Sequence, residues 1–160
     1  MTQAIQALSG VVNACLLTPT VVGGGQPSAA DLAALGATGG GIVLDLRDPM
    51  EPRPFDEPAA VRAAGLEYVN VPVTGSAHDD ATLERILGVL RGAGDRTVFV
   101  HCGSGNRVGG ALIPYLILDH GFEEEDAVNQ AMRAGLRSAE LMEWGLDYAR
   151  RNRGEQQPPS

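Results

Sequence analysis

Apolar residues in this chain fall in two patterns. One is the short run: Ile42 to Leu46, Tyr68 to Val73, and Val98-Phe99-Val100 ahead of His101. Such runs suit strands buried in a sheet. The other is recurrence every three or four positions, which predicts helices with one buried face. Ala29 to Ala37 is a predicted helix opened by Ser28, with Asp31 at capping-box spacing, and closed at Gly39-Gly40-Gly41. Glu57 to Ala64, closed by Gly65, is a second. Asp79 and Asp80 are N-cap candidates for a third, which places Leu83, Ile86, Leu87 and Leu90 on one face. Val108 to Leu118 is apolar nearly all round, which predicts a helix buried on most sides and kinked at Pro114. Glu123 to Ala134 and Ala139 to Arg150 complete the set. Arg47-Asp48-Pro49 is a strand exit, the proline-rich and charged segment 50–58 reads as an irregular loop, and Thr74 to Ala77 as another.

Strands that alternate with helices predict an α/β domain with a mainly parallel central sheet flanked by helices, whose ligands bind at the carboxyl ends of the strands. A length of 160 residues suits one domain, here 1–150, followed by a disordered tail over 151–160. The net charge of −8 repels nucleic acid and anionic membrane, so neither is an expected partner, and an anionic substrate must be captured locally. No apolar run reaches membrane-spanning length, and Met1 to Leu17 lacks the basic leader of a secretory signal, so a cytoplasmic setting is expected. Two cysteines are too few for a disulfide scaffold, and Cys15, within Val11 to Leu17, reads as core. No metal or cofactor is expected: His78-Asp79-Asp80 are consecutive side chains, which rarely converge on one ion.

Chemistry concentrates in Val98 to Arg107, where a strand delivers Cys102 into a glycine-rich turn. Gly103 and Gly105 let successive N–H groups of residues 103 to 107 (Gly103, Ser104, Gly105, Asn106, Arg107) point inward as an oxyanion cradle. Arg107 can clamp two anion oxygens through its planar fork. The N–H dipoles, the following helix N-terminus and the guanidinium would all favour a Cys102 thiolate, the nucleophilic form. Competing readings are a buried structural cysteine and a binding-only loop. Two nucleotide motifs do not fit: Val108 stands at the third glycine position of G-x-G-x-x-G, and the chain has no lysine for a G-x-x-x-x-G-K-[ST] loop.

Gly24-Gly25-Gln26-Pro27-Ser28, Leu44-Asp45-Leu46-Arg47, Tyr68 to Val73, Val100-His101-Cys102 through Arg107, and Ala134-Gly135-Leu136-Arg137-Ser138 together resemble the bacterial phosphatase-like proteins related to the N-terminal domain of beta-lactamase-hydrolase-like proteins. That family shares the fold of cysteine-dependent dual-specificity phosphatases. The resemblance spans roughly residues 5 to 150. It implies a cysteine-phosphatase-like fold, a phosphorylated small molecule or phosphoprotein as substrate, Cys102 as the nucleophile that becomes phosphorylated, and Arg107 and the backbone of 103–107 on the phosphoryl oxygens. His101 would support the thiolate without donating a proton.

Two departures open a second reading. Only four residues, Gly103 to Asn106, separate cysteine from arginine, where the phosphatase signature has five, and Val108 replaces the usual Ser or Thr after the arginine. The turn also resembles single-domain rhodaneses, sulfurtransferases whose cysteine carries a persulfide taken from a donor such as thiosulfate. A phosphatase needs an acid for the leaving oxygen. The first carboxylates after the Tyr68 to Val73 strand are Asp79 and Asp80, with His78 a weaker alternative; the helix-cap reading of both aspartates competes with the catalytic one. Hydrolysis of phosphomonoesters, sulfur transfer and an inert oxyanion-binding module are the three functions to be separated.

Overall fold

The computed structural model describes residues 2–75 and 78–156. Five strands, β1 (Cys15–Thr18), β2 (Val21–Gly24), β3 (Ile42–Asp45), β4 (Glu67–Asn70) and β5 (Val98–His101), form one sheet in the order β1-β2-β5-β3-β4. Every pairing is parallel except β1 with β2. Among the described residues seven α-helices flank it: α1 (Thr2–Ala7), α2 (Ala29–Gly36), α3 (Glu57–Ala63), α4 (Asp80–Gly92), α5 (Asn106–Pro114), α6 (Glu124–Arg133) and α7 (Ala139–Gln156).

The unbroken apolar runs are explained by a sheet covered on both sides. Successive side chains point to opposite faces. Val21, Ile42, Leu44, Val98 and Val100 join a core formed with α4, α5, α6 and α7, whereas Val22, Val43 and Phe99 join Leu8, Leu32, Leu35 and Val61 on the side of α1, α2 and α3. On the first side α5 and α7 approach closely at Gly110 and Gly145: a Cβ on Gly145 would lie 2.2 Å from the Gly110 carbonyl oxygen.

Local signals act as expected at several ends. Ser28 and Asp31 form the full capping box of α2. Asp79 caps α4 by accepting from the Thr82 N–H at 2.9 Å, and Leu83, Ile86, Leu87 and Leu90 are buried along that helix.

Elsewhere the structure departs from the pattern. The strand expected over Tyr68 to Val73 ends at Asn70 because Pro72 has no N–H to give; Val71 and Val73 still donate to Asp45 and Leu46 of the neighbouring strand and its exit. Pro114 ends α5, and Tyr115–Asp119 continues as a π-helical turn. The β1–β2 hairpin and α1 were not anticipated. Cys15 lies in the edge strand and is only partly buried against the core. The tail expected from 151 is helical as far as Gln156, and residues 157–160 lie outside the described set. Of the loop Thr74 to Ala77, Ser76 and Ala77 also lie outside it. Among the described residues, no helix is long and apolar enough to cross a membrane.

Candidate active site

β5 runs parallel between β2 and β3 and ends at His101, so Cys102 emerges at the carboxyl edge of the sheet centre. It is 1% exposed. The loop then turns through Gly105, whose φ of 99° lies in the left-handed region, and enters α5 at Asn106. That turn aims the Gly105 N–H at the Cys102 sulfur, 3.2 Å away. A side chain at Gly105 is excluded twice over, by its φ and by the Ala134 carbonyl oxygen, 1.8 Å from where a Cβ would stand.

Three distant segments pin the loop. The Asn13 side chain donates to the Ser104 carbonyl at 2.8 Å, and the Gln26 N–H donates to the Gly103 carbonyl at 2.9 Å. Asn106 Oδ1 accepts from the N–H groups of Arg137 and Ser138, at 2.8 and 3.1 Å, which ties the α6–α7 connection to the start of α5. These bonds tie both ends of the loop to its surroundings.

Arg107 is a second half of the arrangement. Its two terminal nitrogens meet the Glu51 carboxylate at 2.6 and 3.1 Å. Glu51 also accepts from the Asp48 N–H at 2.6 Å. The Arg107 bond holds the Glu51 carboxyl below its usual range, against some desolvation. Burial alone would lower the proton affinity of Arg107; Glu51 and the adjacent Cys102 sulfur reverse that, so the guanidinium is held more firmly as a cation than usual. The loop over residues 50–58, read from sequence only as irregular, thus brings a carboxylate to the candidate anion clamp.

Behind Cys102 lies a buried polar cluster. His101 Nε2 is 2.5 Å from Glu57 Oε2, and its Nδ1 is 3.4 Å from the Cys102 carbonyl oxygen. Arg47 donates to Asp45 at 2.9 and 2.8 Å and to Glu57 at 3.0 Å, and bonds the Gln26 side-chain oxygen. Tyr68 donates to Asp45 at 2.6 Å, and Arg53 reaches both Tyr68 and Asp45. Burial pushes the Asp45 carboxyl up, but the Arg47 bonds, the His101 field and the Tyr68 hydroxyl outweigh it and bring it to about 2. Desolvation, then the bond to Asp45, raise the Tyr68 phenol to about 12. Ligand atoms of Asp45, Glu57 and His101 lie within 4.8 Å of one another, close enough for a metal ion. The donor set does not suit one, since the Arg47 guanidinium already sits against both carboxylates.

Asp79 and Asp80 are engaged elsewhere. Asp79 serves the α4 N-terminus, with its carbonyl taken by the Trp144 indole at 3.2 Å. Asp80 pairs with Arg151 at 2.8 and 2.7 Å. The Thr82 bonds lower the Asp79 carboxyl and the Arg151 bond lowers that of Asp80, so each is favoured as an anion. Among the described residues neither bonds the 102–107 loop. His78 stacks on Trp144, with ring centroids 5.1 Å apart, and its Nδ1 lies 3.4 Å from Glu140. Sequence reasoning therefore placed Cys102, Arg107, His101 and the cradle together, and missed Asn13, Glu51 and Glu57. Gln26, Asp45 and Arg47 stood in the quoted motifs without a role.

Solved structures of the same shape include the "Putative phosphatase (DUF442)" of Shewanella putrefaciens CN-32, with a TM-score of 0.80 over 92% of this chain and 97% of that one at 19% identity. The fold is that of the phosphatases. Pseudomonas aeruginosa TpbA superposes with a TM-score of 0.67 over 87% of this chain and 84% of its own at 23% identity. In sequence the chain is 32% identical over 97 residues to a beta-lactamase hydrolase-like protein of Agrobacterium fabrum. That match covers 58% of this chain and 22% of the relative, so the chain spans about a fifth of its length. No family model matches.

Proposed function

We propose that this protein is a cysteine-dependent hydrolase of phosphomonoesters. The observation that carries the reading is the Cys102 sulfur at the start of α5, met by the Gly105 N–H, with the Arg107 guanidinium beside it, on a fold shared with phosphatases. The Cys102 thiolate attacks phosphorus and the phosphocysteine is then hydrolysed by water; the N–H groups of 103–107 and Arg107 bind the equatorial oxygens. His101 supports the loop from behind. The substrate is a phosphorylated small molecule or phosphoprotein; TpbA has been solved in complex with phosphotyrosine. In this reading Asp79 or Asp80 protonates the leaving oxygen, which requires that Thr82 or Arg151 release it.

Two observations favour a second reading, rhodanese-like sulfur transfer through a Cys102 persulfide. The cradle has four residues between cysteine and arginine, and both carboxylates that would serve as acid are held as anions by other partners. Sulfur transfer needs no acid for a phosphate leaving group.

The deciding experiment assays the full chain with an aryl phosphate and with thiosulfate plus a thiophilic acceptor, using Cys102→Ser as the blank. Cys102-dependent release of phosphate is the expected result. Cys102-dependent turnover of thiosulfate alone would establish the second reading, and activity on neither would leave an oxyanion-binding module.

A further inference from the structure

His101 faces an oxygen acceptor at each ring nitrogen. A backbone carbonyl cannot donate, so Nδ1, opposite the Cys102 oxygen at 3.4 Å, carries a hydrogen. At Nε2 a proton lies in the 2.5 Å contact with Glu57 Oε2. It belongs either to the imidazole or to the carboxyl. The other Glu57 oxygen decides between them: Oε1 accepts from Arg47 at 3.0 Å and from the Gln26 amide at 3.3 Å, contacts that favour the carboxylate. Asp45, Arg47, Glu57 and His101 are all buried, and an imidazolium at His101 beside a Glu57 carboxylate would leave the four charges balanced.

We propose that Glu57 is a positioning residue, which through this contact keeps His101 as an imidazolium fixed under the Cys102 carbonyl, so that a buried positive charge backs the thiolate. The inference rests on Cys102 acting as a thiolate, whichever group it transfers. The groups that face His101 are few and come from every neighbouring element. They are Glu57 from α3, Asp45 from β3 at 4.0 Å with Arg47 just beyond it, and Cys102 itself; Tyr68 and Arg53 act only through Asp45, and the Phe99 ring stacks on the imidazole. Glu57 stands in the first turn of α3 between the Asp56 cap and Pro58 and is fully buried, with its two carboxylate oxygens divided between His101 and the Arg47 and Gln26 side chains.

The test uses the full chain in a Cys15→Ser background, so that Cys102 is the single thiol. Nitrogen NMR of labelled histidine, with His101 assigned by substitution, should show His101 protonated at both ring nitrogens at neutral pH. A neutral tautomer there overturns the proposal directly, whether or not any variant folds. Glu57→Gln should move the pH–rate profile of iodoacetamide alkylation of Cys102 up by about one pH unit, so that at a pH below both midpoints the variant reacts about tenfold more slowly. Glu57→Asp, which keeps the charge, should recover part of that loss. A folded Glu57→Gln with the wild-type profile would also overturn the inference. If instead the unmodified protein alkylates like an ordinary thiol, it is the thiolate mechanism that fails, and the histidine spectrum still reports on Glu57.

Discussion

At the scale of single residues, the informative contact is the one between Arg107 and Glu51, because it occupies the nitrogens that an anion would use. A guanidinium matches two oxygens at once and an ammonium does not. Arg107→Lys should therefore lose on the order of 10²-fold in turnover while keeping its charge, as removal of one oxyanion donor does. A variant within twofold of wild type would make Arg107 structural. Glu51, partly exposed, competes with the anion for the same fork. Glu51→Gln should tighten inorganic phosphate by up to about fivefold, the worth of an ion pair that water still reaches. Protection of Cys102 from alkylation by added phosphate measures it, and weaker binding in the variant would show that Glu51 orients Arg107 rather than masking it. The clamp was legible in sequence because Cys102 and Arg107 are five positions apart; Glu51 lies 56 positions away in a loop without periodicity, so only the folded chain reveals the pair.

At the scale of elements, the turn from β5 into α5 carries the chemistry, and its geometry depends on Gly105. Gly105→Ala must leave the left-handed region and push away the Ala134 carbonyl, so it should remove the N–H from the Cys102 sulfur and lower activity more than it lowers the melting temperature. Wild-type turnover in that variant would refute the role of the turn. The start of α4 gives the opposite case. If Asp79 only caps, Asp79→Asn should keep activity on every substrate, since asparagine also caps, and Asp79→Ala should lower the melting temperature without changing turnover. If Asp79 or Asp80 is the acid, its Asn variant slows phenyl phosphate and spares esters with acidic leaving groups. These ends were readable because caps are local: Ser28 with Asp31, and Asp79 with Thr82, lie three residues apart. The β1–β2 hairpin was not, because its second strand ends in glycines that resemble a loop, and the stretch after Pro114 was not, because nothing local distinguishes a kinked helix from a π-helical turn.

At the scale of the whole molecule, the sheet gathers at one edge the side chains that the sequence scatters from Gln26 to Arg107. The alternation of strands and helices was enough to foresee a parallel sheet with Cys102 at its carboxyl edge. The buried charges behind Cys102 were not foreseeable, since Asp45, Arg47, Glu57, Tyr68 and His101 have no common spacing and meet only through the order β5-β3-β4. This cluster links stability to acid. The Asp45 carboxyl falls from 3.8 to about 2 on folding, so the unfolded chain binds the proton more readily. Its contribution is present above pH ~4, amounts to about 2 kcal/mol, and is lost as the pH falls toward about 2. Asp45→Asn removes the titrating group while keeping its shape, and leaves the Arg47 guanidinium buried beside a neutral amide. The variant should melt well below wild type at pH 6, and the gap should narrow as the pH is lowered from 4 toward 2, where wild-type Asp45 itself becomes neutral. Calorimetry of both proteins across that range measures the gap. A gap that stayed constant would mean that Asp45 is not held as a carboxylate by the cluster, and that acid unfolding is set by the exposed carboxylates.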